Sequence, residues 1–262
     1  MKISALALWA VLVVPLSSVG LSAQEETRFA APPPLECTGY KNVLFLAQGN
    51  VVLSNLRWRI PGTGEIGCGQ ALPNREDTGH FWFFGRENIE LTCKAINGLV
   101  LNQKFWIFCG GLTNVEWWVE ARNNANPELP GKSYYNPPGQ MASFADVNAF
   151  GHGANNSPYF VLARTECGRE QVLPAGAGTF LIQVRDPDGD PLVAQVKVLE
   201  GNGAAVEIDP LWQGPIEGSE QGKYLWFDVK VPKTPGSYVL ALEVADGRSL
   251  LPAQCIVTLR VP

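Results

Sequence analysis

Three aspartates at alternate positions, Asp186, Asp188 and Asp190 in the run Asp-Pro-Asp-Gly-Asp, offer carboxylates to a hard cation such as calcium, which gathers several oxygen ligands from one loop. The spacing is not that of an EF-hand. Counted from Asp186, the positions that would hold the turn glycine and the bidentate acid carry Pro191 and Lys197. The competing reading is a plain hairpin turn between two strands.

Catalytic chemistry finds fewer candidates. The sequence holds no G-x-S-x-G elbow, no H-E-x-x-H pair and no glycine-rich phosphate loop. A serine or cysteine triad would have to take its base from His80 or His152, and His152 sits between two glycines. Acid pairs such as Glu87 with Glu116 are unavoidable among 25 acidic residues, so they carry no glycosidase signal. The chain is therefore read as a non-enzyme, with no pocket expected to gather His, Asp, Glu or Ser side chains. Asn155-Asn156-Ser157 fits the glycosylation acceptor pattern, but Pro158 follows it directly.

Aromatic residues suggest recognition instead. In the run from Asn114 to Ala121, alternation puts Val115, Trp117, Val119 and Ala121 on one face and leaves Trp118 among Asn114, Glu116 and Glu120. An exposed indole there would be a platform for a sugar face or a protein partner, as would Tyr224 and Trp226 on the outward face of a later strand. The alternative is that each ring is covered by a neighbouring strand or loop. Phe81-Trp82-Phe83-Phe84 and Phe105-Trp106 are apolar at both parities and read as central strands buried on both faces.

Six cysteines form an even set, and their spacing lacks the close pairs of a zinc site. In Ile89 to Ala95 the odd positions are apolar, and Phe105, Ile107 and Cys109 share a face in the next run. A hairpin around Gly98 to Gln103 that sets Cys93 opposite Cys109 also sets Ala95 opposite Ile107, which predicts a cross-strand disulfide. Cys167–Cys255 and Cys37–Cys68 complete the set, with Cys37–Cys167 as the rival.

The elements that would hold these residues are strands. No window after the leader keeps a helical period, whereas period-two runs recur from 37 to 165 and again from 166 to 262. In the second region Phe180–Val184, Ala194–Val198, Leu225–Val231, Tyr238–Val244 and Cys255–Val261 each alternate, with glycine, asparagine and proline turns between them. That pattern predicts an all-β protein of two β-sandwich domains, the second immunoglobulin-like.

Ahead of both, Met1-Lys2 and the uncharged run to Leu16 read as a signal peptide over 1–23, cut after Gly20 or Ala23. The run is shorter than the ~20 residues of a membrane-spanning helix. A retained N-terminal anchor is the alternative, disfavoured because no basic stop-transfer cluster follows it. Residues 24–36, with Pro32-Pro33-Pro34, form a stiff linker. A net charge of -5 without a basic run argues against nucleic acid and anionic membrane as partners.

Two resemblances add to this. The Asp186–Asp190 turn, Pro235-Gly236-Ser237-Tyr238, Leu242 to Gly247 and the last strand are similar to bacterial immunoglobulin-like modules of the cadherin-like or polycystic-kidney-disease type. Phe81-Trp82-Phe83-Phe84, Gly110 to Glu116 and Tyr135-Asn136-Pro137 resemble an uncharacterised β module of secreted bacterial proteins. Cys93 and Cys109 depart from that module, and Asn123 to Pro130 looks like an insertion. The resemblances imply β-sandwiches in an extracytoplasmic setting. The expected role is a secreted or periplasmic module that binds a glycan or protein, or a purely structural part of the cell surface, with an accessory pair of a hydrolase as the remote alternative. Calcium is the one cofactor in play.

Overall fold

Alternation of apolar and polar side chains lets each strand bury one face while the other meets water, and two such sheets can then close over a common interior. The computed structural model follows that logic. It describes residues 30–162, 167–173, 176–201, 206–212, 214–217, 219–233 and 235–262. The leader, the first residues of the linker and the Asn202-Gly203 part of the expected Gly201-Asn202-Gly203 turn lie outside these residues. Residues 31–262 form one compact unit. Among the described residues no helix is long and apolar enough to cross a membrane.

The first sandwich is built from β1 (Leu44–Leu46), β2 (Val51–Arg59), β3 (Ile66–Cys68), β4 (Gln70–Arg75), β5 (Thr78–Trp82), β6 (Ile89–Asn97), β7 (Lys104–Gly111), β8 (Glu116–Asn123), β9 (Lys132–Asn136) and β10 (Ser143–Gly151). One sheet runs β1-β2-β8-β9, with β3 on β2, and the other β10-β7-β6-β5-β4. Trp117, Phe81, Phe105, Leu53 and Ile107 are fully buried between them. The β6–β7 register sets Cys93 opposite Cys109 and Ala95 opposite Ile107, as the alternation predicts. The connection between them is not a bare loop, however, because Leu99–Asn102 forms one helical turn.

The second sandwich comprises β11 (Tyr159–Phe160), β12 (Glu170–Val172), β13 (Ala177–Arg185), β14 (Val193–Glu200), β15 (Glu207–Pro210), β16 (Lys223–Lys230), β17 (Gly236–Ala245) and β18 (Ala253–Val261). Its sheets run β11-β13-β16-β15 and β12-β18-β17-β14. Reading β11 and β12 as two parts of strand A, these are the A-B-E-D and C-F-G sheets of an immunoglobulin fold, with the second part of A parallel to G. The protein is all-β, two β-sandwiches with the second immunoglobulin-like. Phe180, Ile182, Val184, Leu225, Phe227, Leu240, Leu242, Val257 and Leu259 form its interior at the parity expected.

Three disulfides join Cys37–Cys68, Cys93–Cys109 and Cys167–Cys255, so the rival Cys37–Cys167 pairing does not occur. The Cα atoms of Cys93 and Cys109 are 4.2 Å apart, the close approach of a directly opposed pair on adjacent antiparallel strands.

Two expectations about aromatics fail for one reason, that sheet neighbours rather than alternation decide what covers an outer face. β5 ends at Trp82, which is half-buried, and Phe84 lies beyond it and is exposed. Phe81-Trp82-Phe83-Phe84 is therefore not a strand buried on both faces; β5 lies next to the edge strand β4. Trp106, likewise, is half-buried and donates its Nε1–H to Asn102 Oδ1 at 2.8 Å.

Candidate functional site

The turn from Asp186 to Asp190 links β13 to β14, which lie in different sheets, so it is a crossing between sheets and not a hairpin. Asp186 is fully buried. Its Oδ1 accepts the backbone N–H groups of Asp188 at 2.9 Å and Gly189 at 3.1 Å, a tight turn that holds Gly189 at a φ of 73°. Its Oδ2 is sealed from water and has no hydrogen-bond partner. Burial, joined by the charges of Asp246, Asp188 and Asp190, pushes the Asp186 carboxyl up to about 6 against the opposing bond from the Asp188 N–H.

Two further segments close on this turn. Before β11, Asn156 donates its backbone N–H at 2.5 Å and its Nδ2 at 2.8 Å to the two oxygens of Asp188. Asn155 donates Nδ2 to Asp246 Oδ2 at 2.9 Å, while its own buried Oδ1 has no partner. After β17, Asp246 Oδ1 accepts the N–H groups of Arg248 and Ser249 at 2.8 Å each. Burial acts to raise the Asp246 carboxyl, but the bonds from Asn155, Ser249 and Arg248 outweigh it and hold the group below the usual range. Among the described residues Arg248, which pairs with Asp190 at 2.9 Å, is the one cation in an ion pair with these four carboxylates.

Ligand oxygens of Asp186, Asp188 and Asp190 lie within 4.8 Å of one another. Calcium binds oxygen at roughly 2.3–2.6 Å, so oxygens sharing one ion stand up to about 5 Å apart, a spread that these three carboxylates match pair by pair. Asp186 Oδ2, in the turn, and Asn155 Oδ1, beside Asp246, are both buried without a hydrogen-bond partner. An uncompensated buried acceptor is a cost of about 1–3 kcal/mol. The donor set is all oxygen, which suits calcium and not zinc.

The same segment fastens the two sandwiches together. Ser157, fully buried, donates its N–H to Asn50 Oδ1 at 2.9 Å. The Ser249 hydroxyl is 2.8 Å from both Asp246 Oδ2 and Ser157 Oγ; an ionised carboxylate only accepts, so Ser249 donates to Asp246 and accepts from Ser157. Asn124, also fully buried, donates Nδ2 toward Gly49 O, Ser157 Oγ and Leu251 O and accepts the Leu251 N–H at 2.8 Å. Gly49 has to be glycine here: its φ is +83°, and a Cβ would stand 2.7 Å from Pro158 O.

Sequence reasoning offered the Asp186–Asp190 run as a cation loop or a plain hairpin turn and did not extend it to the residues that meet it here. It missed Asn155, Asp246, Ser249 and Asn124. The signals existed but pointed elsewhere, Asn155 to a sequon and Asp246-Gly247 to a turn. Asn155 is buried against Asp246, which leaves no room for a glycan.

Trp118 is the second correction, since only 4% of it is exposed. Arg59 lies over the indole at 5.2 Å and the Tyr135 ring beside it at 5.2 Å. Both are fixed by Glu116, whose Oε2 accepts Arg59 Nε at 2.6 Å and whose Oε1 accepts the Tyr135 hydroxyl at 2.8 Å. Long polar side chains thus roof the outer face with their apolar stems. Tyr224 and Trp226, by contrast, are each 47% exposed on the outer face of β16, with Leu211 exposed nearby on the chain that follows β15. His80 lies 3.1 Å from the hydroxyl Oγ1 of Thr92, on the neighbouring strand β6, and His152 packs near the Phe105 ring.

No protein-family model and no curated protein matches this chain. Solved structures of the surface-layer protein SbsC are similar at low level. Its domains 4–9 align at 11% identity over 89% of this chain and 31% of that one, with a TM-score of 0.28. Its domains 4 and 5 align at 11% identity over 86% and 99%, with a TM-score of 0.26. The chain spans about a third of the longer of these structures. Scores of this size carry no inference about role.

Proposed function

We propose that this chain is an extracytoplasmic, non-catalytic structural module in which a calcium ion held by Asp186, Asp188 and Asp190, beside Asp246 and Asn155, locks the junction of two β-sandwiches. The observation that carries the reading is the sealed, partnerless Asp186 Oδ2, on a carboxyl that the charges of Asp246, Asp188 and Asp190 all push upward. Three disulfides support an oxidising compartment, where such bonds persist. On this reading the second sandwich is kin to bacterial cadherin-like or polycystic-kidney-disease modules and the first to a β module of secreted bacterial proteins.

The test is calorimetric titration of the chelated protein with calcium, alongside thermal unfolding. Saturable binding at one site, and stabilisation of about 2.7 kcal/mol at a hundredfold excess over Kd, are expected. Magnesium should compete poorly, because it demands a small octahedral shell. Absence of calorimetric binding, with unfolding unmoved by calcium, would sink the proposal.

A second reading is recognition of a glycan or protein through Tyr224 and Trp226, favoured by their paired exposure on one strand face. Trp226→Ala should then abolish attachment to cell-surface material while leaving the melting temperature unchanged.

A further inference from the structure

A cleft of about 400 Å³ lies between the two sandwiches, apart from the acidic turn. Sites for small ligands run from roughly 300 to 1,000 Å³. Four of its wall residues break the alternation of their strands. Phe45 lies between the buried Leu44 and Leu46, and Trp82 follows the buried Phe81, so both stand on outward faces of the first sandwich. Val239 between Tyr238 and Leu240, and Ile256 between Cys255 and Val257, stand on the outward face of the second. Apolar groups at solvent parity from both sandwiches therefore meet across one space. They do not fill it, since Phe45, Trp82 and Ile256 are only half-buried.

The charged groups around the cleft are unevenly paired. Lys41 and the Tyr40 hydroxyl both bind Glu200 Oε1, so that bridge between the sandwiches is neutral. Glu76 accepts the Leu162 N–H at 3.0 Å. Arg86 reaches the cleft from an exposed position, and its guanidinium donates to Gly168 O at 3.4 Å, with no carboxylate paired to it among the described residues. Two charges on the wall have no ion-pair partner among the described residues, the Glu76 carboxylate and the Arg86 guanidinium, and the planar fork of the latter suits carboxylate and sulfonate oxygens.

We propose that this cleft binds a small amphipathic anion, its flat apolar body between Phe45 and Trp82 on one wall and Val239 and Ile256 on the other, its acidic group on Arg86. Repulsion from Glu76 sets the direction of entry, keeping the acidic end at Arg86.

The probes are two dyes of similar body, anilinonaphthalene sulfonate, which carries the anion, and phenyl-naphthylamine, which is neutral. Both are titrated into the folded full chain in calcium-containing buffer, with near-ultraviolet circular dichroism confirming native packing. One saturable site is expected for each dye. Arg86→Gln should weaken the sulfonate about tenfold or more and leave the neutral dye unmoved. Ser237→Trp places an indole in the cleft from an exposed strand position and should abolish both. The absence of saturable binding overturns the site, as does full binding to a folded Ser237→Trp chain. Equal affinity of the sulfonate for Arg86→Gln overturns the assignment of the anion.

Discussion

Replacing Asp186 by asparagine separates the cost of the acidic nest from its use. Consider the metal-free chain. Asp186 has its pKa raised from 3.8 to about 6 by burial and by its acidic neighbours. Below about pH 4 folded and unfolded chains both hold the proton, and the group contributes nothing. Between about 4 and 6 the unfolded chain releases the proton while the folded chain keeps it, so the folded state binds more protons and stability falls as pH rises. Above about 6 the penalty levels off. Two units of pKa at 1.36 kcal/mol each make it at most about 3 kcal/mol. Asp186→Asn keeps an oxygen for the Asp188 and Gly189 N–H groups and removes the charge. In chelator near pH 7 the variant should be more stable than the parent by up to about 3 kcal/mol, and near pH 4 the two should converge. Excess calcium should raise the parent and leave the variant unmoved. Urea unfolding across this pH range, with calcium and with chelator, measures all four conditions. A variant less stable than the parent in chelator near pH 7, or one that calcium stabilises equally, refutes the reasoning.

Asn124→Leu removes the side chain that ties Gly49, Ser157 and Leu251; at about 1 kcal/mol per bond, with buried partners left unpaired, it should cost about 2–4 kcal/mol by chemical denaturation and expose 152–158 to limited proteolysis. Replacing Cys93 and Cys109 together by alanine opens a loop of 16 residues in the first core, and a loss of about 2–4 kcal/mol by denaturant titration is expected, with calcium affinity unchanged. Arg59→Ala uncovers Trp118 and deprives the buried Glu116 of its cation; about 1–2 kcal/mol should be lost, against nearly nothing for Lys230→Ala, whose pairing with Glu207 is exposed on both sides.

Strand parity needed only the chain itself. Which residues of Phe180–Val184 or Cys255–Val261 point inward follows from the period of two, because a one-residue slip would turn a whole apolar set to water. The same rule placed Cys93 opposite Cys109, whereas the choice between Cys167–Cys255 and its rival Cys37–Cys167 was made by the fold. Turn residues were legible too, since Asp186 to Asp190 and Asp246-Gly247 need local backbone bends wherever they sit.

What alternation cannot state is the neighbour of an outward face. Trp118 is buried because Arg59, from β2, and Tyr135, from β9, reach over it, and neither is near it in sequence. Asp186, Asn155 and Asp246 are separated by 31 and 60 positions along the chain and meet because β13, the segment before β11 and the turn after β17 end at one corner of the second sandwich. Local backbone chemistry chose the strands and turns. The meeting of carboxylates, amides and outward aromatics between two sandwiches was decided by long-range packing, which no short window of residues contains.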